Sequence, residues 1–314
     1  MKAIIFDKKA EPFRLVERDI TLPVPKDGEI RVRVKAASIN AADWRCLKMG
    51  IIPRSRIFGA DISGVVDAVG PGTEHRKEGD EVVADLSNLG FGGFAEYVCA
   101  TEKAFARKPK GLDFVAASAV PLAGVTALQA IRDKGSLKDG QDVLVVGASG
   151  GVGSFAVQIA SFMGGRVTAV TSGKNAQTVA ALGAQRVIDY TREDFTLVGD
   201  RFDLIIAVSG REPIRAYSRL LKSRGICVMV GGDLRQVFAA LFLGPIVSLG
   251  RKKHLALAAR SSVEDIAYLL DLAERKAIVP SIERVYRFGE IPEAMDYALK
   301  GHARGKLVID YGEG

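Results

Sequence analysis

The strongest constraint on this chain is the run from Val143 to Asp189, which places a strand, a glycine-rich turn, a helix and a second strand in succession with no acidic residue before Asp189. The apolar Val143-Leu144-Val145-Val146 reads as a fully buried strand, and Gly147-Ala148-Ser149-Gly150-Gly151-Val152-Gly153 turns into a helical pattern over Ser154 to Met163. Gly164-Gly165 then ends the helix. Such a turn also serves plain strand-to-helix packing. Its other use is to let the backbone approach a pyrophosphate, whose charge is met by free amides at the helix N-terminus; that use assigns Ser149, Gly150, Gly151, Val152 and Gly153 to a dinucleotide. The second strand, Val167 to Val170, ends in Thr171-Ser172-Gly173-Lys174-Asn175. A site for an unphosphorylated dinucleotide would put Asp or Glu there, on the ribose hydroxyls. Ser172, Lys174 and Asn175 offer hydroxyl, cation and amide instead, and Lys174 would attract a ribose phosphate. The cofactor expected is NADPH.

Residues 1 to about 120 read as β-rich. Glu29-Ile30-Arg31-Val32-Arg33-Val34 alternates, turn signals fall at Lys26-Asp27-Gly28 and Pro71-Gly72, and short strands are predicted at Gly64 to Val69 and Glu81 to Ala84. Together they predict a small barrel-like domain. From Pro121 the pattern becomes alternating strand and helix, which implies a parallel sheet covered on both faces. The expected elements after Val167 are helix Ala176 to Leu182, strands Arg186 to Ile188 and Leu204 to Ala207, helix Pro213 to Leu221, strand Ile226 to Val230 and helix Ser262 to Glu274. Strand-like Val285 to Phe288 and Lys306 to Ile309 return at the end and complete the first domain. The expected division is 1–120 with 277–314, and 121–276.

A formal charge of +7 invites nucleic acid, but the basic residues are scattered without interleaved aromatics, and no nucleic-acid partner is expected. Cys46, Cys99 and Cys227 are too far apart in sequence for a local zinc module or disulfide framework. The N-terminus enters strand-like sequence directly, without a signal-peptide pattern, so a cytoplasmic location is expected. Val237 to Leu249 is apolar but broken by Gly244-Pro245 and shorter than the roughly 20 residues that span a bilayer. It reads as a subunit contact or cleft wall, with peripheral membrane contact as the other option.

End to end, the chain resembles the medium-chain dehydrogenase/reductase superfamily, and within it the zinc-independent quinone oxidoreductase branch. The resemblance rests on Ala37-Ser38-Ile39-Asn40-Ala41-Ala42-Asp43, Gly59-Ala60-Asp61-Ile62-Ser63-Gly64-Val65-Val66, Gly79-Asp80-Glu81-Val82, Gly92-Gly93-Phe94-Ala95-Glu96-Tyr97-Val98, Pro121 to Leu128, Ala148 to Gly153 and Gly301 to Lys306. It implies an α/β chain, a Rossmann doubly wound parallel sheet plus a GroES-like β-barrel domain. It further implies hydride transfer from NADPH to a small-molecule quinone or α,β-unsaturated carbonyl, and a homodimer. Asn40, Asp43 and Thr126 are then expected beside the nicotinamide, Tyr190 beside the adenosine phosphate, and Ser209, Gly231 and Gly232 on the strand-end rim. Lys306 is expected to contribute to the cofactor site. Their structural alternatives are a turn Asn, a helix-capping Asp, a helix-interior Thr and a strand-end Tyr.

Zinc alcohol dehydrogenases of this superfamily bind metal through Cys, a His-Glu pair and Cys, where this chain carries Ser38, Ala60-Asp61 and Leu122. No metal site is expected, because a borderline-soft cation needs thiolate or imidazole. Ala207 also replaces an Asp common in the family. Of His75, His254 and His302, only His254 is a candidate proton donor. Two other readings stay open: a dinucleotide-binding sensor, structural or RNA-binding protein without turnover, and an alcohol dehydrogenase.

Overall fold

The computed structural model describes residues 1–10, 14–208, 212–230, 251–301 and 303–312. Two units are defined by internal contacts: Met1–Val125 with Ser261–Lys276 and Pro280–Gly314, and Thr126–Arg260 with Ala277–Val279.

In the first unit, β1 (Lys2–Phe6) and β2 (Leu15–Asp19) form an antiparallel pair. The main sheet contains β3 (Glu29–Ile39), β4 (Asp61–Val69), β5 (Glu81–Asp85), β6 (Tyr97–Thr101) and β7 (Phe105–Arg107). Its path runs β14-β15-β3-β4-β5-β7, with β6 also on β3, where β14 is Ile282–Arg287 and β15 is Lys306–Asp310. The alternation read in β3 is real for its first half, since Ile30, Val32 and Val34 are buried between half-buried neighbours. From Ala36 onward both faces are covered, because α2 (Phe114–Ser118) packs on the other side and Ala36, Ala119 and Val308 share a small cluster. Helices α1 (Ala41–Met49) and α8 (Ile291–Leu299) also belong to this unit.

The helix α7 (Val263–Glu274) opens as the sequence indicates, with the Asp265 N–H donating to Ser262 Oγ at 3.1 Å. Its contacts are with β5 and β7, so it groups with the first unit, whereas the sequence pattern had attached it to the nucleotide unit. Periodicity finds a helix's apolar face but does not say which core receives it.

The second unit carries six strands in the order β10-β9-β8-β11-β12-β13, all parallel. They are β8 (Asp142–Val146), β9 (Arg166–Thr171), β10 (Arg186–Asp189), β11 (Phe202–Ala207), β12 (Leu221–Met229) and β13 (Lys253–Ala256). Strand order reverses between β8 and β11, the switch point at which open α/β sheets bind ligands. Helices α4 (Gly151–Phe162), α5 (Ala176–Ala181) and α6 (Ile214–Leu220) connect the strands; α3 (Pro121–Leu128) precedes β8. The expected strand Ile226 to Val230 is longer on its N-terminal side, beginning at Leu221 directly after α6. Among the described residues, no helix is long and apolar enough to cross a membrane. Val237 to Leu249, Ser209, Gly231, Gly232 and His302 lie outside the described residues.

Candidate functional site

The glycine turn follows β8 as expected. Gly147 has φ +83°, and its N–H and that of Ala148 both donate to Val170 O at 3.1 Å, tying the turn to β9. A Cβ on Gly153 would fall 2.1 Å from Gly147 O, so no side chain fits between the turn and the first turn of α4. Gly150 differs: the nearest atom to a Cβ there is Gly147 O, at 3.6 Å, and its φ of −78° suits any residue. Gly153 is therefore required by packing, whereas at Gly150 the described residues leave room for a Cβ. That space lies at the N-terminus of α4, whose first amides have no acceptor within the helix, an arrangement that fits a pyrophosphate.

The polar residues read from the sequence meet at the ends of β8 and β9. Ser149 Oγ accepts from Thr171 Oγ1 at 2.9 Å and from Asn175 Nδ2 at 3.1 Å; Asn175 Nδ2 also donates to Ser172 Oγ at 3.1 Å. Ser172 and Asn175 are buried by these bonds, which join the turn to the loop after β9, while Lys174 projects from that loop and is exposed. Tyr190 is 58% exposed, and its N–H donates to Thr171 O at 3.1 Å. Ser149, Ser172, Lys174, Asn175 and Tyr190 thus share one corner. Thr126 is buried in α3.

The first unit holds a second polar cluster, built on strand register. Ser38, Asp61 and Asp85 lie in one row across β3, β4 and β5. Asp61 Oδ2 accepts from Asn40 Nδ2 at 2.8 Å and Ser38 Oγ at 3.2 Å, and the Leu122 N–H donates to Oδ1 at 3.1 Å. Lys306, which opens β15, donates from Nζ to Asn40 Oδ1 at 2.6 Å and pairs with Asp61 Oδ2 at 3.6 Å. An ammonium can only donate and an ionised carboxylate only accept, so the two partners fix the orientation of the Asn40 amide. Asp43 stands at the third position of α1. Its Oδ2 accepts from the Asn40 N–H at 2.8 Å, the return half of a capping box, and its Oδ1 accepts from the Gly59 N–H at 2.9 Å.

This geometry gives two residues other tasks than the sequence assigned. Lys306 was expected at the cofactor, but its side chain is 2% exposed and its ammonium is spent on Asn40 and Asp61. Asp43 was expected beside the nicotinamide; it is fully buried with both oxygens on backbone amides. Both support the Asn40 loop from within. Both hydrogens of Asn40 Nδ2 are engaged as well, the second by Ser38 O at 3.3 Å. Burial pushes the Asp43 carboxyl up to about 6, against the pull of the Asn40 and Gly59 amides and the Lys306 charge. Burial also raises Asp61 and lowers Lys306, each partner drawing the other back toward its charged form. Asp85 is raised by burial too.

Sequence reasoning undervalued Asp61, the hub of this cluster. The available signal was one acid in the apolar run Gly59 to Val66 and one lysine opening the apolar run Lys306 to Ile309. At the positions aligned with zinc ligands, Ser38 and the Leu122 amide both donate to Asp61, and no thiolate or imidazole is present. This donor set does not fit zinc. Among the described residues, no group of three His, Cys, Asp or Glu could hold a metal ion. His254 is buried on β13 with Nε2 2.7 Å from Ser218 Oγ, and burial lowers its pKa.

A parallel 3-2-1-4-5-6 sheet with a glycine turn at its first strand, joined in one chain to a largely antiparallel unit, defines a two-unit dinucleotide-dependent dehydrogenase or reductase fold. Residues 26–110 match the alcohol dehydrogenase GroES-like domain, and 182–309 match the zinc-binding dehydrogenase family. The chain is 32% identical to the chloroplast envelope quinone oxidoreductase homolog of Arabidopsis thaliana, over 93% of this chain and 92% of that protein. It is also 32% identical to the mouse mitochondrial NAD(P)H oxidoreductase RTN4IP1, over 99% of this chain and 89% of that one. The solved quinone oxidoreductase of Coxiella burnetii superposes with a TM-score of 0.88 at 30% identity, covering 99% of both chains. The chain belongs to the medium-chain dehydrogenase/reductase superfamily, in its zinc-independent quinone oxidoreductase branch.

One expectation is overturned by these relatives. The reading of a cytoplasmic location does not stand, because similar proteins are named as chloroplastic or mitochondrial. A strand-like start therefore says nothing about compartment here.

Proposed function

We propose that this protein is an NADPH-dependent reductase of quinones or α,β-unsaturated carbonyls. The observation that carries the reading is the corner where Ser149, Thr171, Ser172 and Asn175 form one hydrogen-bonded group with exposed Lys174 on its loop. When bound, the dihydronicotinamide supplies a hydride. In this reading the amides at Gly151, Val152 and Gly153 hold the pyrophosphate, and Lys174 takes the ribose phosphate, with Tyr190 beside the adenosine side. Ser209, Gly231 and Gly232 belong to the same reading as the rim. Asn40 is fixed by Lys306 and Asp61, while Thr126 offers a hydroxyl near the nicotinamide.

The acceptor class follows from chemistry and kinship. Without a Lewis acid to polarise an alcohol or simple ketone, acceptors that take hydride readily are favoured: quinones, and carbon-carbon double bonds conjugated to a carbonyl. Among the relatives are an NADPH-dependent alkenal/one oxidoreductase and a 2-methylene-furan-3-one reductase, at 29% and 30% identity. Net reduction of either acceptor takes one hydride and one proton, the latter from solvent. A homodimer is part of the proposal, supported by the outer edge of β13, which pairs only with β12 among the described residues.

The test is oxidation of NADPH and NADH by chelator-treated protein, with phenanthrenequinone and an α,β-unsaturated ketone as parallel acceptors and products identified. Chelator-insensitive turnover that favours NADPH is expected. Bound NADPH without turnover on either acceptor would refute the reductase and leave a dinucleotide-binding protein.

A further inference from the structure

The sequence places no acid at the end of β9, but the fold brings one from the neighbouring strand. β10 pairs in parallel with β9, and Asp189 stands level with Thr171 in that register. Asp189 Oδ1 accepts from the Thr191 N–H at 3.0 Å and from Thr191 Oγ1 at 2.7 Å. Its Oδ2 faces Gly173 so closely that a Cβ on Gly173 would lie 2.3 Å from it. Glycine at 173 is thus the residue that lets a carboxylate approach the loop carrying Lys174. The Thr191 side-chain and backbone donors, and then the Gly173 amide, hold the Asp189 carboxyl below the usual carboxylate range, so it is ionised at neutral pH.

The corner therefore carries charges of both signs: Lys174 on the loop, Asp189 against Gly173, the residue before it, and Arg192, whose charge acts on Asp189. A carboxylate at the end of a sheet strand accepts hydrogen bonds from ribose hydroxyls and repels a phosphate in the same place. We propose that Asp189 is a specificity-determining residue that limits the preference for NADPH, countering the attraction of Lys174 and keeping NADH as a usable second cofactor. This rests on the assignment of the corner to the adenosine ribose made above.

The experiment measures dissociation constants of NADPH and NADH by nicotinamide fluorescence, with no acceptor present, for the wild type, Asp189→Asn, Asp189→Ser, Thr191→Val and Lys174→Ala. Asparagine keeps an acceptor for Thr191 and removes the charge. The NADPH preference is expected to rise about three- to tenfold in both Asp189 variants, the range for one charge acting a few ångströms away through a partly aqueous medium. That rise should shrink at 0.5 M KCl, where screening acts over about 4 Å. Thr191→Val loosens the carboxylate but keeps its charge, so its preference should stay within about twofold of wild type. An unchanged or lowered preference in the Asp189 variants overturns the proposal, as does a rise that salt leaves intact. Lys174→Ala separates this from the cofactor reading: an unchanged preference there refutes the NADPH assignment, while the Asp189 variants still decide the role of Asp189.

Discussion

Replacing Lys306 with Met tests the polar cluster of the first unit most directly, because the substitution keeps length and volume while removing one buried charge. The wild-type ammonium contacts Asn40 Oδ1 at 2.6 Å, Ile39 O at 3.4 Å and Asp61 Oδ2 at 3.6 Å. Removing one member of a buried ion pair costs about 3–5 kcal/mol, mostly through the charge left behind. With a urea slope of about 2–3 kcal/mol/M, the midpoint should fall by about 1–2.5 M. Trp44, the single tryptophan, lies in α1 and packs partly buried against the core of this unit, so its fluorescence reports the right transition.

The pH dependence sharpens this test. Without Lys306, the folded-state pKa of Asp61 rises further above its unfolded value, so the folded state binds the proton more tightly. The loss should accordingly be smallest near pH 5, where the burial-raised Asp61 carboxyl is already protonated, and largest near pH 8. The double variant Lys306→Met/Asp61→Leu should lose less than the sum of the single changes, since no unpaired charge remains. A loss below about 1 kcal/mol at pH 8, or the same loss at both pH values, would refute the claim that this pair locks the Asn40 loop.

Further outcomes are expected elsewhere. Lys174→Ala should weaken NADPH by about 10- to 150-fold, the value of a charge-assisted hydrogen bond, while NADH binding changes little; calorimetric titration checks this. Gly150→Val should abolish dinucleotide binding while lowering stability by only about 1 kcal/mol, the cost of a poor N-cap residue, because its Cβ meets no described atom closer than 3.6 Å; retained NADPH affinity would move the pyrophosphate elsewhere. In the wild type the buried Asp43 carboxyl, at about 6 in the folded state against an ordinary 3.8, makes the folded state bind more protons between those values. Stability of the first unit should therefore fall by up to about 3 kcal/mol as pH rises from 4 to 7, with Asp61 and Asp85 adding in the same direction. Asp43→Asn should flatten that slope, and a denaturation series across this window reads it.

What the sequence disclosed and what it withheld have a common physical origin. The turn from Gly147 to Gly153 was legible because a backbone conformation dictates residue type locally, and the buried strand Val143 to Val146 because burial on both faces dictates composition. Lys174 was legible as a cation after the second strand. Asp189 was visible as the first acid after Val143, but its place beside Gly173 depends on the pairing of β10 with β9. The bonds of Lys306 and Asp43 were not legible, because family position says where a residue falls along the chain, whereas these bonds are set by partners such as Asn40, Gly59 and Asp61. The helix α7 went to the wrong unit for the same reason. An amphipathic pattern states that a face is covered, and only the fold states by what.

The bond from Lys306 to Asn40 spans 266 residues, which bears on the order in which the chain can be built. As synthesis proceeds, Asn40 and Asp61 emerge long before the lysine that pairs with them, and β3 meets its neighbour β15 only at the end. All six strands of the parallel sheet, from Asp142 to Ala256, leave the ribosome earlier than that lysine. The nucleotide-binding half can therefore close first, with the amino-terminal half completed last by a strand that carries its own counter-ion. A nascent chain stalled before Lys306 would hold Asp61 without the ammonium that pairs with it in the folded unit.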